Sequence, residues 1–163
     1  MQSALNCKAK GDLAEMKVAC DLLRRGHKIA FPYGEDWDYD LILCRGDALE
    51  RVQVKHTRSD GETMEIRCYS QSLTNGKVRS TKRYTAATVD WIAAYDVTTD
   101  RCYYLSAEIL GSAGRRTLTL RVAPSKNRQM IGIRYAEDYC DLGVEPAGLE
   151  PATSSVQAKR SSS

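Results

Sequence analysis

The stretch Tyr39–His56, YDLILCRGDALERVQVKH, decides how the chain folds. Tyr39 to Cys44 holds the apolar run Leu41-Ile42-Leu43, and Arg51 to His56 alternates polar and apolar residues. Alternation with a period of two marks a half-buried strand. Arg45-Gly46-Asp47 supplies turn chemistry, so the two runs form a β-hairpin. Successive strand side chains point to opposite faces. Gln53 and Lys55 therefore share one face, and Val52 and Val54 share the other. The valines enter the core while the polar pair points into a cleft. Asp40, at the start of the neighbouring strand, reaches the same cleft, so a carboxylate, an amide and an ammonium group converge there.

Working outward, Gly11 to Arg25 reads as a helix with Leu13, Met16, Cys20 and Leu23 on one stripe, widened by Ala19 and Leu22. Asp12 and Glu15 fall in its first turn and Arg24 and Arg25 in its last, matching the helix dipole, and Gly26 stops it. Lys28 to Pro32 is a short first strand, and Met64 to Tyr69 (MEIRCY) alternates like another. Ser70 to Arg83 is polar, with Asn75-Gly76 as a turn signal. Trp91 to Tyr95 (WIAAY) and Cys102 to Leu105 (CYYL) form a buried hairpin in which Trp91, Tyr95, Tyr103 and Tyr104 are core or subunit-interface residues. Ser106 caps a short helix through Leu110, and Thr117 to Val122 (TLTLRV) is a late strand. Gly143 to Ser163, with two prolines and many Ser and Ala, has no apolar period and reads as a disordered tail. The domain is thus residues 1–142 and the tail 143–163.

The cleft residues suit phosphodiester hydrolysis. That reaction needs a divalent metal to polarise the phosphate and acidify a bound water. Mg2+ takes oxygen ligands and keeps several waters, so one or two carboxylates suffice. Asp40 is the main candidate ligand, joined by the Gln53 amide oxygen or the Val54 carbonyl. Lys55 stabilises developing negative charge or orients the attacking water. Glu15, on the helix, contributes through a second metal or a water. His56 follows Lys55 and points to the opposite face as a structural or surface histidine, and His27 is a loop residue.

Hydrophobic residues make up 42% and charged residues 28%, which excludes a mainly disordered chain. The net charge of +3 is too mild to name a partner, so the placement of charge matters more than its sum. Lys77, Arg79, Lys82 and Arg83 lie within seven positions, flanked by Tyr69 and Tyr84. They form either a solvated loop or a set of DNA phosphate contacts with salt-dependent affinity. Arg67 points from its strand towards a DNA groove, and Arg115, Arg116, Lys126 and Arg128 form a second basic set. None of the six cysteines forms a C-x-x-C pair, and no apolar signal-peptide core or membrane-length run occurs. They read as reduced thiols of a cytoplasmic protein, several filling small core spaces.

An acidic residue on a first helix, then Asp40, then Gln53 two before Lys55, resembles the PD-(D/E)XK nuclease superfamily. The resemblance extends through GDLAEMKVACDLLRRGHKIAFPYGEDWDYDLIL, RVQVKHTRSDG, DWIAAYD and GIRYAEDY, roughly residues 10 to 140. It is closest to the small branch of homing endonucleases encoded in bacterial group I introns, which also resembles this chain in using Gln before the catalytic Lys. The resemblance implies an α/β, restriction-endonuclease-like core, a mixed β-sheet flanked by helices. It implies Mg2+-dependent cleavage of double-stranded DNA, with Glu15, Asp40, Gln53 and Lys55 at the matching positions. Asp38 shares the parity of Asp40, but Asp40 directly precedes the LIL run as in the family motif. A small domain on a long target further implies a homo-oligomer, a dimer or tetramer. Two alternatives stay open: a structure-specific nuclease of the Holliday-junction type, and a DNA-binding protein whose site has decayed at Gln53.

Overall fold

The computed structural model describes residues 5–34, 36–124 and 132–143. Its first element is α1 (Cys7–Arg24), followed by β1 (Lys28–Ala30), β2 (Leu41–Arg45) and β3 (Ala48–Thr57). Next come β4 (Thr63–Arg67), β5 (Tyr69–Thr74), β6 (Lys77–Arg83), β7 (Trp91–Asp96) and β8 (Arg101–Ser106). The last strand is β9 (Thr117–Arg121), and two 3-10 turns span Ala107–Leu110 and Ala136–Tyr139. Ser106 caps the first of these turns as expected, its side chain accepting from the Glu108 N–H.

The main sheet has the order β1-β2-β3-β7-β8 and is mixed: β3 and β7 run parallel, and every other pair is antiparallel. The expected β2–β3 hairpin forms, with Arg45 opposite Ala48 around Gly46-Asp47. Gly46 takes φ 57° at the first loop position, where a tight hairpin needs a residue that tolerates positive φ. β7 and β8 form the expected second hairpin, and Tyr103 and Tyr104 are buried in it.

Each face of the sheet carries its own core. On one side α1 packs through Ala14, Val18, Ala19 and Leu22 against Leu41, Leu43, Val52, Val54, Ala93, Tyr95 and Tyr104. On the other, Ile92, Ala94, Tyr103 and Leu105 meet Met64 and Ile66 of β4 and Leu118 and Leu120 of β9. The strict alternation of β4, with Met64 and Ile66 buried and Glu65 and Arg67 exposed, places this β4–β9 pair as a lid on the sheet.

Three expectations need correction. First, α1 starts a turn before Gly11, capped by the Asn6 side chain on the Ala9 N–H, so Asp12 and Glu15 lie beyond its first turn. Its buried stripe also differs: Met16 and Leu23 are more than half exposed and Cys20 faces solvent. The helix carries two apolar stripes, and the sheet takes the one with small Ala14 and Ala19, which let the helix approach closely. Second, the polar stretch from Ser70 is no loop. β5 and β6 make a two-stranded ribbon around Asn75-Gly76, both at positive φ (52° and 73°), as a type I′ turn requires. Third, Cys68 is the only buried thiol among the described cysteines, and none is in a disulfide. The tail expected over 143–163 lies outside the described residues except for Gly143, as do Lys126 and Arg128 of the second basic set. No helix among the described residues is long and apolar enough to cross a membrane.

Candidate active site

The site forms at the mouth of the β2–β3 hairpin. The Asp40 N–H donates to the Val52 carbonyl at 2.9 Å, which continues the pairing one residue before β2 begins. This puts the carboxylate over β3, where Oδ2 accepts the Val54 N–H at 2.7 Å and a second hydrogen bond from the Gln53 side-chain NH2. The same NH2 also donates to the Val54 carbonyl at 3.1 Å. Both acceptors can only accept, so the amide must present its nitrogen to them. Oδ1 of Asp40 takes no hydrogen bond from the described residues, which leaves one carboxylate oxygen to the cleft.

Strand parity holds. Val52 and Val54 are buried under α1, while Gln53 and Lys55 occupy the opposite face. Lys55 Nζ lies 4.7 Å from the centre of the Tyr84 ring and donates to its hydroxyl at 3.2 Å. Burial pushes the Lys55 ammonium below its usual pKa, and the charges of Asp40 and Glu15 pull it partly back. Burial raises the Asp40 pKa against the lowering effect of the Val54 N–H, Lys55 and Gln53. Glu15 is raised by burial and then by the neighbouring Asp40 charge. Glu15 and Asp40 also line one cavity of about 270 Å3. The four sequence-predicted residues thus come together, from α1, the approach to β2, and β3.

The donor set fits a hard divalent cation: two carboxylates and the Val54 carbonyl, all oxygen. Two like charges held close and partly desolvated also favour a cation between them. Among the described residues no three or more His, Cys, Asp or Glu side chains group as metal ligands, so this set is limited to two side-chain carboxylates and a backbone carbonyl. Asp38, the competing carboxylate, is already engaged: Lys82 of β6 donates to it at 2.7 Å. His56 stands on the α1 side, its ring edge-on to Tyr95 with centroids 6.1 Å apart, as a structural histidine does.

Tyr84 is the site residue that sequence reasoning missed. In the sequence it stands only as a flank of the basic cluster, and its role depends on long-range packing. Its N–H donates to the Cys68 carbonyl at 3.1 Å, closing the base of the β5–β6 ribbon, and burial raises its hydroxyl to about 12. Gly114 makes this packing possible. It sits at φ 68°, and a Cβ there would come within 2.7 Å of the Tyr84 carbonyl oxygen.

The basic residues divide by position. Lys77, Arg79, Lys82 and Arg83 all lie on the exposed strand β6, and Arg67 is exposed at the end of β4. The register pairs Lys77 with Thr74 and Lys82 with Ser70 on one face of the ribbon, and Arg83 with Tyr69 on the other, while Arg79 is the extra residue of a β-bulge. Lys82 reaches Asp38 beside the cleft. Arg67, Lys77, Arg79 and Arg83 make no ion pair among the described residues. Arg115 and Arg116 are exposed, with Arg116 over the Tyr69 ring at 5.5 Å.

The profile of the family described as PD-(D/E)XK endonuclease matches residues 5–142. No curated protein matches the chain in sequence. Among solved structures, that of a bacterial homing endonuclease, I-Ssp6803I, aligns with a TM-score of 0.63 over 83% of this chain and 88% of its own. The two are 20% identical, so the likeness is one of fold. That fold is restriction-endonuclease-like, a mixed sheet with the first helix on one face.

Proposed function

The chain belongs to the PD-(D/E)XK endonuclease family and is a nuclease acting on DNA, and we propose that it hydrolyses double-stranded DNA as a sequence-specific homing endonuclease that requires Mg2+. Nucleases of this family typically use divalent metal ions. The observation that carries the reading is the state of Asp40: one oxygen is pinned by Val54 and Gln53, and the other is left for a ligand.

Asp40, Glu15 and the Val54 carbonyl would hold the cation, and Gln53 would join them on turning its amide to present oxygen in place of the NH2 that now bonds Asp40. When bound, Mg2+ polarises the scissile phosphate and lowers the pKa of a coordinated water. Gln53 fixes the Asp40 rotamer. Lys55, backed by the Tyr84 ring, presents its ammonium group to the charge that builds on the phosphate. Lys77, Arg79, Lys82, Arg83 and Arg67 contact the DNA backbone and edges from the ribbon and the end of β4. The nuclease domain is residues 1–142, with a tail over 143–163, and the protein works in the cytoplasm.

One chain carries one such cleft, whereas a duplex has two strands to cut. A symmetric homo-oligomer, a dimer or tetramer, supplies the second cleft. The solvent-facing stripe of α1, with Met16, Cys20 and Leu23 at coiled-coil spacing, is where we place that contact.

The test uses a plasmid carrying the DNA that flanks the gene, incubated with the protein and Mg2+ or with chelator. A discrete, metal-dependent double-strand break that Lys55→Ala removes is the expected result. Binding without cleavage would instead favour the decayed-site alternative, and preference for branched over linear DNA would favour the structure-specific one.

A further inference from the structure

Beside the catalytic carboxylates lies a turn that the proposed chemistry does not use. Phe31, Pro32, Trp37 and Tyr39 line the same cavity as Glu15 and Asp40. The chain has one phenylalanine and two tryptophans in all, and this turn holds the phenylalanine and one of the tryptophans. Yet Phe31 is 53% exposed, Trp37 54% and Tyr33 98%.

Trp37 is held in place. Trp37 Nε1 donates to the Tyr33 carbonyl at 2.9 Å, and the Trp37 ring leans on Tyr39 with centroids 5.4 Å apart. Gly34 and Asp36 take positive φ, 89° and 70°, to make the turn. Positive φ at a non-glycine residue is uncommon and clusters at binding sites. The backbone is thus bent to present aromatic faces that the fold itself does not cover.

Charge selects the occupant. From Phe31 to Tyr39 the sequence contains no Lys or Arg and three acidic residues, so this turn repels phosphate. A nucleobase offers a neutral aromatic face and stacks on such rings irrespective of its identity. A DNA phosphate held through a cation at Asp40 would bring its adjoining nucleotide to the shared cavity.

We propose that Phe31 and Trp37, which line this cavity, form a stacking platform for a base displaced from the duplex next to the scissile phosphate. This rests on the nuclease reading above and adds to it that the enzyme distorts its DNA at the cut. The platform lowers the cost of unstacking, because the displaced base exchanges its neighbours in the helix for protein rings.

The test uses two duplexes of one sequence, one fully paired and one with unpaired bases that include 2-aminopurine, in chelator so that no cutting occurs. Wild type is expected to bind the unpaired duplex about tenfold or more tightly than the paired one, with the 2-aminopurine emission quenched by stacking. Phe31→Ala and Trp37→Leu should abolish both the preference and the quenching. Their affinity for the paired duplex should fall less than that for the unpaired one, and its salt dependence should stay unchanged. Phe31 and Trp37 are both more than half exposed, so their variants test the platform with little risk to the fold. Equal wild-type affinity for the two duplexes, or a preference that survives in both variants, would overturn the platform alone. Failure to bind either duplex would overturn the nuclease reading with it. A change of oligomeric state in Phe31→Ala would also overturn the platform, because the rings would then seat against a second copy of the chain.

Discussion

Asp40→Asn separates the two tasks of this carboxylate. Both hydrogen bonds it accepts fall on Oδ2. An asparagine oxygen placed there keeps both, and its NH2 group replaces Oδ1, the oxygen left for a cation. The substitution therefore preserves the local structure and removes the ligand. Burial raises the Asp40 and Glu15 pKa values in the folded chain. A carboxylate whose folded pKa lies above its unfolded one stabilises the fold below the unfolded value and loses that contribution as pH rises through the folded value. At neutral pH, without metal, the ionised pair is therefore a liability, and the metal-free Asp40→Asn protein should be at least as stable as wild type. A cation changes the balance only in wild type. At a concentration 100 times its Kd, a ligand stabilises the folded state by about 2.7 kcal/mol. At roughly 4 °C per kcal/mol for a domain of this size, the melting temperature rises by about 10 °C. Scanning calorimetry at neutral pH, with Mg2+ and with chelator, should show this rise in wild type and its absence in Asp40→Asn. The rise should shrink on acidification, as protons compete for the pair. Cleavage by the variant should fall by at least about 100-fold, the scale for losing one electrostatic contact to a transition state. An unchanged Mg2+-induced rise in Asp40→Asn would refute the assignment of Asp40 as ligand.

Lys55→Met should lower cleavage by roughly 10²- to 10³-fold while DNA affinity in chelator changes little. Because burial lowers the Lys55 pKa, the alkaline limb of the wild-type pH–rate profile should fall below the ordinary lysine value of 10.5. A limb at or above that value would show that burial does not lower the pKa of the group responsible. Tyr84→Phe removes the 3.2 Å hydrogen bond to Lys55 but keeps the ring, so kcat should drop no more than about tenfold. Lys77→Ala and Arg79→Ala should each reduce the salt dependence of DNA binding by close to one ion if their side chains touch phosphate, and an unchanged slope in gel-shift titrations would remove them from the interface. Met16→Glu combined with Leu23→Glu, both on the solvent side of α1, should leave the circular dichroism spectrum intact and yield a monomer by light scattering. Such a monomer should nick DNA rather than cut both strands.

Sequence patterns succeeded where one local rule governed a residue. Parity along Val52-Gln53-Val54-Lys55 was enough to assign faces, because both valines have a single apolar surface to enter. The β7–β8 hairpin was legible for the same reason. Periodicity misled on α1, where two apolar stripes compete. The larger residues, Met16 and Leu23, weigh more in a hydrophobic count, but close packing on a sheet favours the smaller Ala14 and Ala19. The β5–β6 ribbon left no periodic trace, since the side chains described along β6 are all exposed, and only Asn75-Gly76 betrayed it. Tyr84 and Trp37 were beyond reach for another reason: what places them at the site is a contact with a residue far away in sequence or an unusual turn.

Gln53 was the ambiguous residue in the sequence, since an amide lacks the charge a metal ligand usually brings. Its donors resolve part of that ambiguity. A carboxylate at position 53 would place an acceptor against Asp40 Oδ2 and the Val54 carbonyl, two groups that also only accept. Without metal, that arrangement would combine like-charge repulsion with unsatisfied acceptors in a partly buried site. The amide instead joins Asp40 to β3 and reserves Oδ1 for the cleft. The cost falls on the cation, which meets one negative charge fewer. Gln53→Glu should therefore bind divalent ions more tightly by calorimetric titration and melt at a lower temperature in chelator, with the deficit relieved by acid or by metal. If Gln53→Glu melts at or above the wild-type temperature in chelator, the amide has no structural part in holding Asp40.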